Sequence, residues 1–425
     1  MGLSGKTVLK FIETLGIRIV PGVINTITLI YIAKLLGAED YGLFSTTIAT
    51  VSFSSIVIFG SVIYSIMPAS AKMNASGLER EYTSSVICLL LVVSIAVVVL
   101  GTAVSRFGVG SFVETTLVVS FGLHTALQEI LRSQLRLWAY GWSAIGQAVA
   151  YQAGAMALIA GSSDVSAALA AFSLSYLVGA LISFSFLGPT TLRRPRLSYV
   201  SGSLMTGYRL VSCNVAENGI FLGVRYALLM LGSQQHLGVF SFCLDLAQRS
   251  VGFFMNAASF IFVPRAFVSA AKGDVREFRR GLYEGAAIAL LFALGAAVAI
   301  ISVYFSGYAD RWLGKLFDPV VFLIICVAVL LNRTKKVVID PFAMRSNTVM
   351  ILTYSYVAGA LVCCCLAAVG LRWGLPLGPE LAFLLGNLVA ASWSFFALRH
   401  QISDRAPGVT GPASGLATDL DANNA

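Results

Sequence analysis

Three arginines, Arg18, Arg225 and Arg249, stand inside long apolar stretches, and each shares a helical face with other polar residues. Thr14, Arg18, Pro21, Asn25 and Thr28 follow the i, i+4, i+7, i+11, i+14 spacing of one face. Asn214, Asn218 and Arg225 share a second face, with Glu217 adjoining it. Ser241, Asp245, Arg249, Gly252, Asn256 and Ser259 form a third, and an uncharged stripe runs through Thr47, Thr50, Ser54, Ser61 and Ser65. Such faces offer anion recognition, because the planar guanidinium binds oxyanions such as phosphate bidentately. Arg18, Asn25, Asn214, Arg225, Arg249 and Asn256 are the expected substrate-binding residues. Glu217 and Asp245 are acids suited to ion coupling.

Catalysis finds no such support. The longest expected outer loop, near 306–317, carries Asp310, Arg311 and Lys315 but no acids spaced for metal or general acid–base work. A Gly-rich phosphate loop is missing too, against ATP-driven transport. Cys88, Cys213, Cys243, Cys326 and the run Cys363-Cys364-Cys365 lie in apolar segments without zinc spacing. They read as small packing residues. No catalytic residue, metal or cofactor is expected.

Membrane-crossing helices must position these faces. Hydrophobic residues make up 57 % of the 425-residue chain and charged residues 12 %, with a mean hydropathy of +0.84; a soluble domain carries about 25 % charged residues. Each span needs about 20 apolar residues. Twelve are expected, over 12–36, 41–67, 82–104, 112–132, 138–161, 166–188, 207–231, 236–264, 281–305, 317–334, 347–370 and 378–398. Of 29 basic residues, 21 fall on the side of the N-terminus, five on the other, and Arg18, Arg225 and Arg249 within spans. By the positive-inside rule both termini are cytoplasmic. That asymmetry accounts for the net charge of +9 without nucleic acid.

The chain also carries a diluted copy of itself about 196 residues downstream. Leu36-Gly37, Gly42, Phe44 and Ser45 recur as Leu231-Gly232, Gly238, Phe240 and Ser241, with one more residue in the second loop. Pro68 recurs as Pro264, and Arg80-Glu81-Tyr82 as Arg276-Glu277-Phe278. An even number of spans per copy makes the repeats parallel. The expected organisation is an all-α polytopic protein with a six-helix lobe over 1–188, a cytoplasmic linker over 189–206, a second lobe over 207–398 and a disordered tail over 399–425. The two lobes surround a central cavity lined by spans one, two, seven and eight.

Each polar residue has a plainer reading as well. Arg18 snorkels to the cytoplasmic interface. Asp245 and Arg249, one turn apart, suit a local ion pair. Glu217 and Arg225 are roughly 12 Å apart along a straight helix and do not pair, so Arg225 is either open to an external anion or neutralised by another helix. Pro21 breaks its helix. His124, Gln128 and Glu129 form a polar cluster, and 265–280 is an amphipathic stretch at the membrane surface.

The segment from Tyr31 to Phe44, with Leu36-Gly37, Glu39-Asp40 and Tyr41-Gly42, resembles the opening of bacterial polysaccharide-biosynthesis flippases. These belong to the multidrug/oligosaccharidyl-lipid/polysaccharide exporter superfamily. The resemblance implies two lobes, alternating access and a cationic cavity for an undecaprenyl-diphosphate-linked glycan, an O-antigen or exopolysaccharide unit. It also implies the bacterial inner membrane, contact with membrane lipids, and a glycan polymerase and chain-length regulator as partners. The alternatives are a cation-coupled drug exporter, a peptidoglycan-precursor flippase, and a membrane glycan polymerase or glycosyltransferase.

Overall fold

The computed structural model describes residues 5–75, 77–105, 111–159, 164–188, 195–196, 198–271, 273–307, 314–346 and 348–402. Residues 189–194 and 197 of the central linker and the tail beyond 402 lie outside these residues, while 198–206 of the linker form the start of the helix Ser198–Leu231. The described chain is all-helical, with twelve long helices. A continuous helical run over Gly5–Ala75 is broken only at Gly37, whose φ of 76° and ψ of 179° divide it into α1 (5–36) and α2 (38–75). Then follow α3 (Glu79–Ser105), α4 (Phe112–Ser133) and α5 (Leu137–Gly154), which ends in a π-turn over Ala155–Ile159. The first half closes with α6 (Val165–Leu187). The second half holds α7 (Ser198–Leu231), α8 (Gln234–Ala271), α9 (Val275–Phe305), α10 (Pro319–Val338), α11 (Val349–Arg372) and α12 (Gly378–Ile402). Seven stretches are long and apolar enough to cross a membrane on length and composition, Ile19–Ser70 counting as one although it contains two helices.

Several helices overrun the expected spans. α2, α7, α8 and α9 extend further at the face where the basic residues gather. The stretch 265–280 is therefore not a separate surface helix: α8 runs to Ala271, the chain turns at Gly273, and α9 starts at Val275. Pro21 does not break α1 either, since Gly37 is the one non-helical residue within Gly5–Ala75.

The repeat is physical. Gly77 and Gly273, 196 residues apart, both hold a left-handed φ, 73° and 83°, a region that favours glycine. Leu78 N–H donates to Met73 O, and Asp274 N–H to Ser269 O, in the same register. Both turns close with the bond of a Schellman motif. Tyr82 and Phe278, which follow, are both buried.

The first turn of each repeat lies at the opposite face, expected to be outer. There α2 crosses α8 backbone to backbone. A Cβ at Gly42 would stand 2.9 Å from Gly238 N, and one at Gly238 would stand 1.9 Å from Ala38 O. The recurring glycines therefore meet each other. Gly232 differs from Gly37: it lacks positive φ and donates its N–H to Leu228 O, ending α7. The extra residue of the second loop removes the need for a left-handed break. Contacts between the two halves run mainly from α1, α2 and α3 to α7 and α8.

Gly238→Ala should lower the thermal midpoint, since overpacking costs about 1–3 kcal/mol. In a cysteine-free background it should also raise the reactivity of Thr47→Cys towards an impermeant thiol reagent. An unchanged midpoint with unchanged labelling would remove this crossing as a constraint.

Candidate functional site

Just inside the Gly42–Gly238 crossing, four polar side chains from three helices converge. Arg225 of α7 donates from Nη2 to Asp245 Oδ1 of α8 at 2.6 Å and to Ser45 Oγ of α2 at 3.0 Å. Ser45 Oγ donates to Asp245 Oδ2 at 2.6 Å, and Tyr41 OH to the same oxygen at 2.8 Å. Asp245 is thus held by one cation and two hydroxyls, the hydroxyls coming from the other half of the chain. Arg225 is 5 % exposed. Of its two sequence-level alternatives, neutralisation by another helix is the one observed; it is not open to an external anion here. The expected Asp245–Arg249 pair does not form, because Asp245 turns to Arg225.

Arg249 points elsewhere. Its Nη1 donates 2.8 Å to the backbone carbonyl of Asn25 on α1. The α1 stripe itself faces α5: Asn25 Nδ2 donates to Gln147 Oε1 at 3.5 Å, and Thr28 Oγ1 donates to Gln152 Oε1. Gln147 continues to Ser175 of α6 at 3.1 Å. Tyr151 packs against Phe172, and Phe172 against Tyr176. Two buried oxygens in this neighbourhood, Asn25 Oδ1 and Tyr151 Oη, have no hydrogen-bond partner. A guanidinium from the second half therefore docks beside a neutral pocket of amides and phenols in the first.

Glu217 of α7 meets a third group of charges. It lies 2.5 Å from Lys336 Nζ and 4.0 Å from Arg333 Nη1, both on α10. Arg333 Nε is buried without a partner, and it lies 3.8 Å from where a Cβ on Gly252 would stand. Gly252 is one turn along α8 from Arg249. Lys335, almost fully buried, donates to Asp340 Oδ1 at 2.9 Å and stands 3.5 Å from the centre of the Tyr356 ring. Five basic side chains (Arg225, Arg249, Arg333, Lys335, Lys336) thus share this interior with three acids, Glu217, Asp245 and Asp340.

No protein-family model matches the chain, and none of the curated proteins matches it in sequence. Solved structures do match. An inward-facing MATE-family multidrug resistance transporter of the MOP superfamily aligns over 90 % of this chain and 98 % of its own, with TM-score 0.65 and 12 % identity. A MOP superfamily transporter from Pyrococcus furiosus, whose binding pocket is described as reversed in polarity, aligns over 95 % and 97 %, with TM-score 0.64 and 13 % identity. The lipid II flippase MurJ, inward closed, aligns over 91 % and 87 %, with TM-score 0.62 and 14 % identity. The chain has the fold of the MOP superfamily transporters.

Within this MOP fold the remaining expected residues separate. Asn214 and Asn218 spend their side-chain amides on carbonyls one turn back, Leu210 O and Asn214 O. Asn256 is exposed. α1 passes through Arg18, but that side chain lies outside the described residues. His124 packs against Tyr176 while Glu129 pairs with Arg132 at 3.1 Å, so the expected α4 cluster divides. Arg333, Lys335 and Lys336 belong to the basic residues on the side of the N-terminus, but they occupy the last turns of α10 and turn to acids inside the bundle.

Asp245→Asn should destabilise the fold by about 3–5 kcal/mol by stranding a buried guanidinium. Adding Arg225→Met should recover much of that loss. A double-mutant cycle by thermal unfolding reads this directly, and strict additivity of the two changes would deny the pair.

Proposed function

We propose that this chain is a flippase that moves a lipid-diphosphate-linked oligosaccharide from the cytoplasmic to the outer leaflet by alternating access. We place it in a bacterial inner membrane with both termini cytoplasmic and its two six-helix halves as lobes. The carrying observation is unmatched positive charge in the interior, from Arg249 at the contact between the halves and Arg333 within the second half. Arg225 is spent on Asp245, and Lys335 on Asp340. Arg249 holds only a backbone carbonyl, and Arg333 makes a long ion pair and leaves its Nε bare. Charge inside a membrane costs at least about 2.5–3.5 kcal/mol, so cations held this loosely suit an anionic ligand. A diphosphate offers several oxygens to two guanidinium forks on adjacent turns of α8 and α10. The substrate-binding residues of this reading are Arg249 and Arg333, with Asn25 beside Arg249.

MurJ is a lipid II flippase by its own title, which supports a glycan-bearing lipid as the substrate class. The fold neighbours equally include multidrug transporters. A cation-coupled exporter is served by a membrane acid free to titrate, whereas Glu217 and Asp245 each hold basic partners. That favours the flippase. A glycan polymerase and a chain-length regulator are the proposed partners downstream.

The test is vesicle reconstitution with a fluorescent polyprenyl-diphosphate oligosaccharide, reading transfer with an impermeant glycan-modifying reagent. Arg249→Ala and Arg333→Ala should each slow transfer by roughly one to two orders of magnitude, the size of a lost charge-assisted hydrogen bond. Arg→Lys at either site should rescue in part, since the fork is lost but the charge kept. Transport of cationic drugs with no movement of the glycolipid would overturn the proposal in favour of the exporter.

A further inference from the structure

A cavity of about 600 Å³ opens at the same face as the Gly42–Gly238 crossing. Its walls are the starts of α2 and α4 and the ends of α3 and α7, so it straddles the contact between the two halves. Thr46 lines it together with Thr47, Thr50 and Ser54, three of the five residues of the polar stripe on the second span. The hydroxyls are less available than the sequence suggests. Thr46 donates to Gly42 O, Thr50 to Thr46 O and Thr115 to Ser111 O, all one turn back. Glu114, at the rim, accepts from Ser111 N–H in a capping box. Apart from Tyr226 and Gly101, the rest of the wall is aliphatic. Ile58, Leu100 and Val104 line the cavity and are exposed apolar side chains. Across it, Thr50 Oγ1 and Tyr226 Oη sit 3.1 Å apart, joining the two halves. Tyr226 directly follows Arg225 of the buried ion pair.

We propose that this cavity holds the polyprenyl chain of the carried lipid, and that α2, α3, α4 and α7 form its lateral exit into the outer leaflet. The identity of the lipid rests on the function proposed above; the position of its chain rests on the cavity. A hydrocarbon chain fits a largely apolar wall on which Thr46, Thr50 and Thr115 donate within their own helices. Its headgroup stays with the arginines, because Glu114 at the rim repels a diphosphate. The location across the contact between the halves, beside Arg225–Asp245, favours the transported lipid over bulk phospholipid: a chain leaving the centre for the outer leaflet must part the two halves, and here the Thr50–Tyr226 hydroxyl contact joins them across the cavity.

The experiment uses the full chain in nanodiscs, with a polyprenyl diphosphate bearing a diazirine at the far end of its chain. A second arm uses phosphatidylglycerol with a diazirine on an acyl chain. Crosslinks are mapped by peptide mass spectrometry, and binding of a short-chain diphosphate-glycan analogue is measured separately. The polyprenyl probe should label 43–58 or 97–104, and unlabelled polyprenyl diphosphate should displace it. Val97→Trp or Leu100→Trp should cut that labelling roughly tenfold, the loss of about two buried methylenes, with analogue binding unchanged. Labelling of the cavity by the phospholipid probe that polyprenyl diphosphate does not displace overturns the proposal, as does wild-type polyprenyl labelling confined to other helices. A wild-type protein that does not bind the short-chain analogue would instead bring down the function itself.

Discussion

A charge placed inside a membrane protein must be matched there, and the Asp245 carboxylate is the point at which this chain meets that demand. One arginine and two hydroxyls satisfy it. The hydroxyls sit on α2 and the ion pair on α7 and α8. The group therefore forms only when the halves approach at the outer face. The approach in turn needs Gly42 and Gly238, since a side chain at either would keep the backbones apart. Electrostatics and packing thus impose the same closed end, and the cavity beside it is what remains where the two halves meet less completely.

The internal repeat divides these duties unevenly. Glycines, prolines and aromatic positions recur, so the backbone path is shared: Gly77 and Gly273 hold the same left-handed turn, and Tyr82 and Phe278 fill the same kind of site. The charges inside the spans do not recur. At the shared spacing, Asp245 corresponds to Ala49 and Arg249 to Phe53. The first half therefore presents amides and phenols, and the second supplies cations. A two-fold scaffold with one-sided charge produces contacts such as Arg249 on Asn25 that have no mirror image.

Much of this was legible in the residues. Composition and hydrophobic runs implied the spans. The Leu-Gly and Gly-x-Phe-Ser echo marks the backbone crossing of α2 and α8, because positions where backbones touch tolerate only glycine. Pairing was less legible. Helical spacing reports which residues share a face but not which helix that face meets, so Asp245 looked matched to its neighbour Arg249 when its partner lies on α7. Asn25 and Thr28 read as cavity lining by the same rule, whereas α5 answers them with Gln147 and Gln152. The α10 cations were misplaced because a basic run at a helix end satisfies the topology rule whether it points to water or inward. Only contact with Glu217 and Asp340 distinguishes the two.

Under the proposed function, the one-sided charge also bears on how the halves separate. The Arg225–Asp245 pair lies within the second half and needs no ligand; the Tyr41 and Ser45 hydroxyls tie it to the first half and so hold this end closed. Arg249 is different: its hydrogen bond to the Asn25 carbonyl joins the halves deeper in the bundle and is the sort of contact an anion replaces with profit, a neutral acceptor giving way to a charged one. A ligand shifts a conformational equilibrium only by its differential affinity for the two states. A diphosphate that takes Arg249 from Asn25 has that differential built in, since it binds more tightly once the halves no longer share the guanidinium. The substrate then loosens the contact that holds its own compartment shut, while the Asp245 cluster resists opening until the rest of the interface has moved.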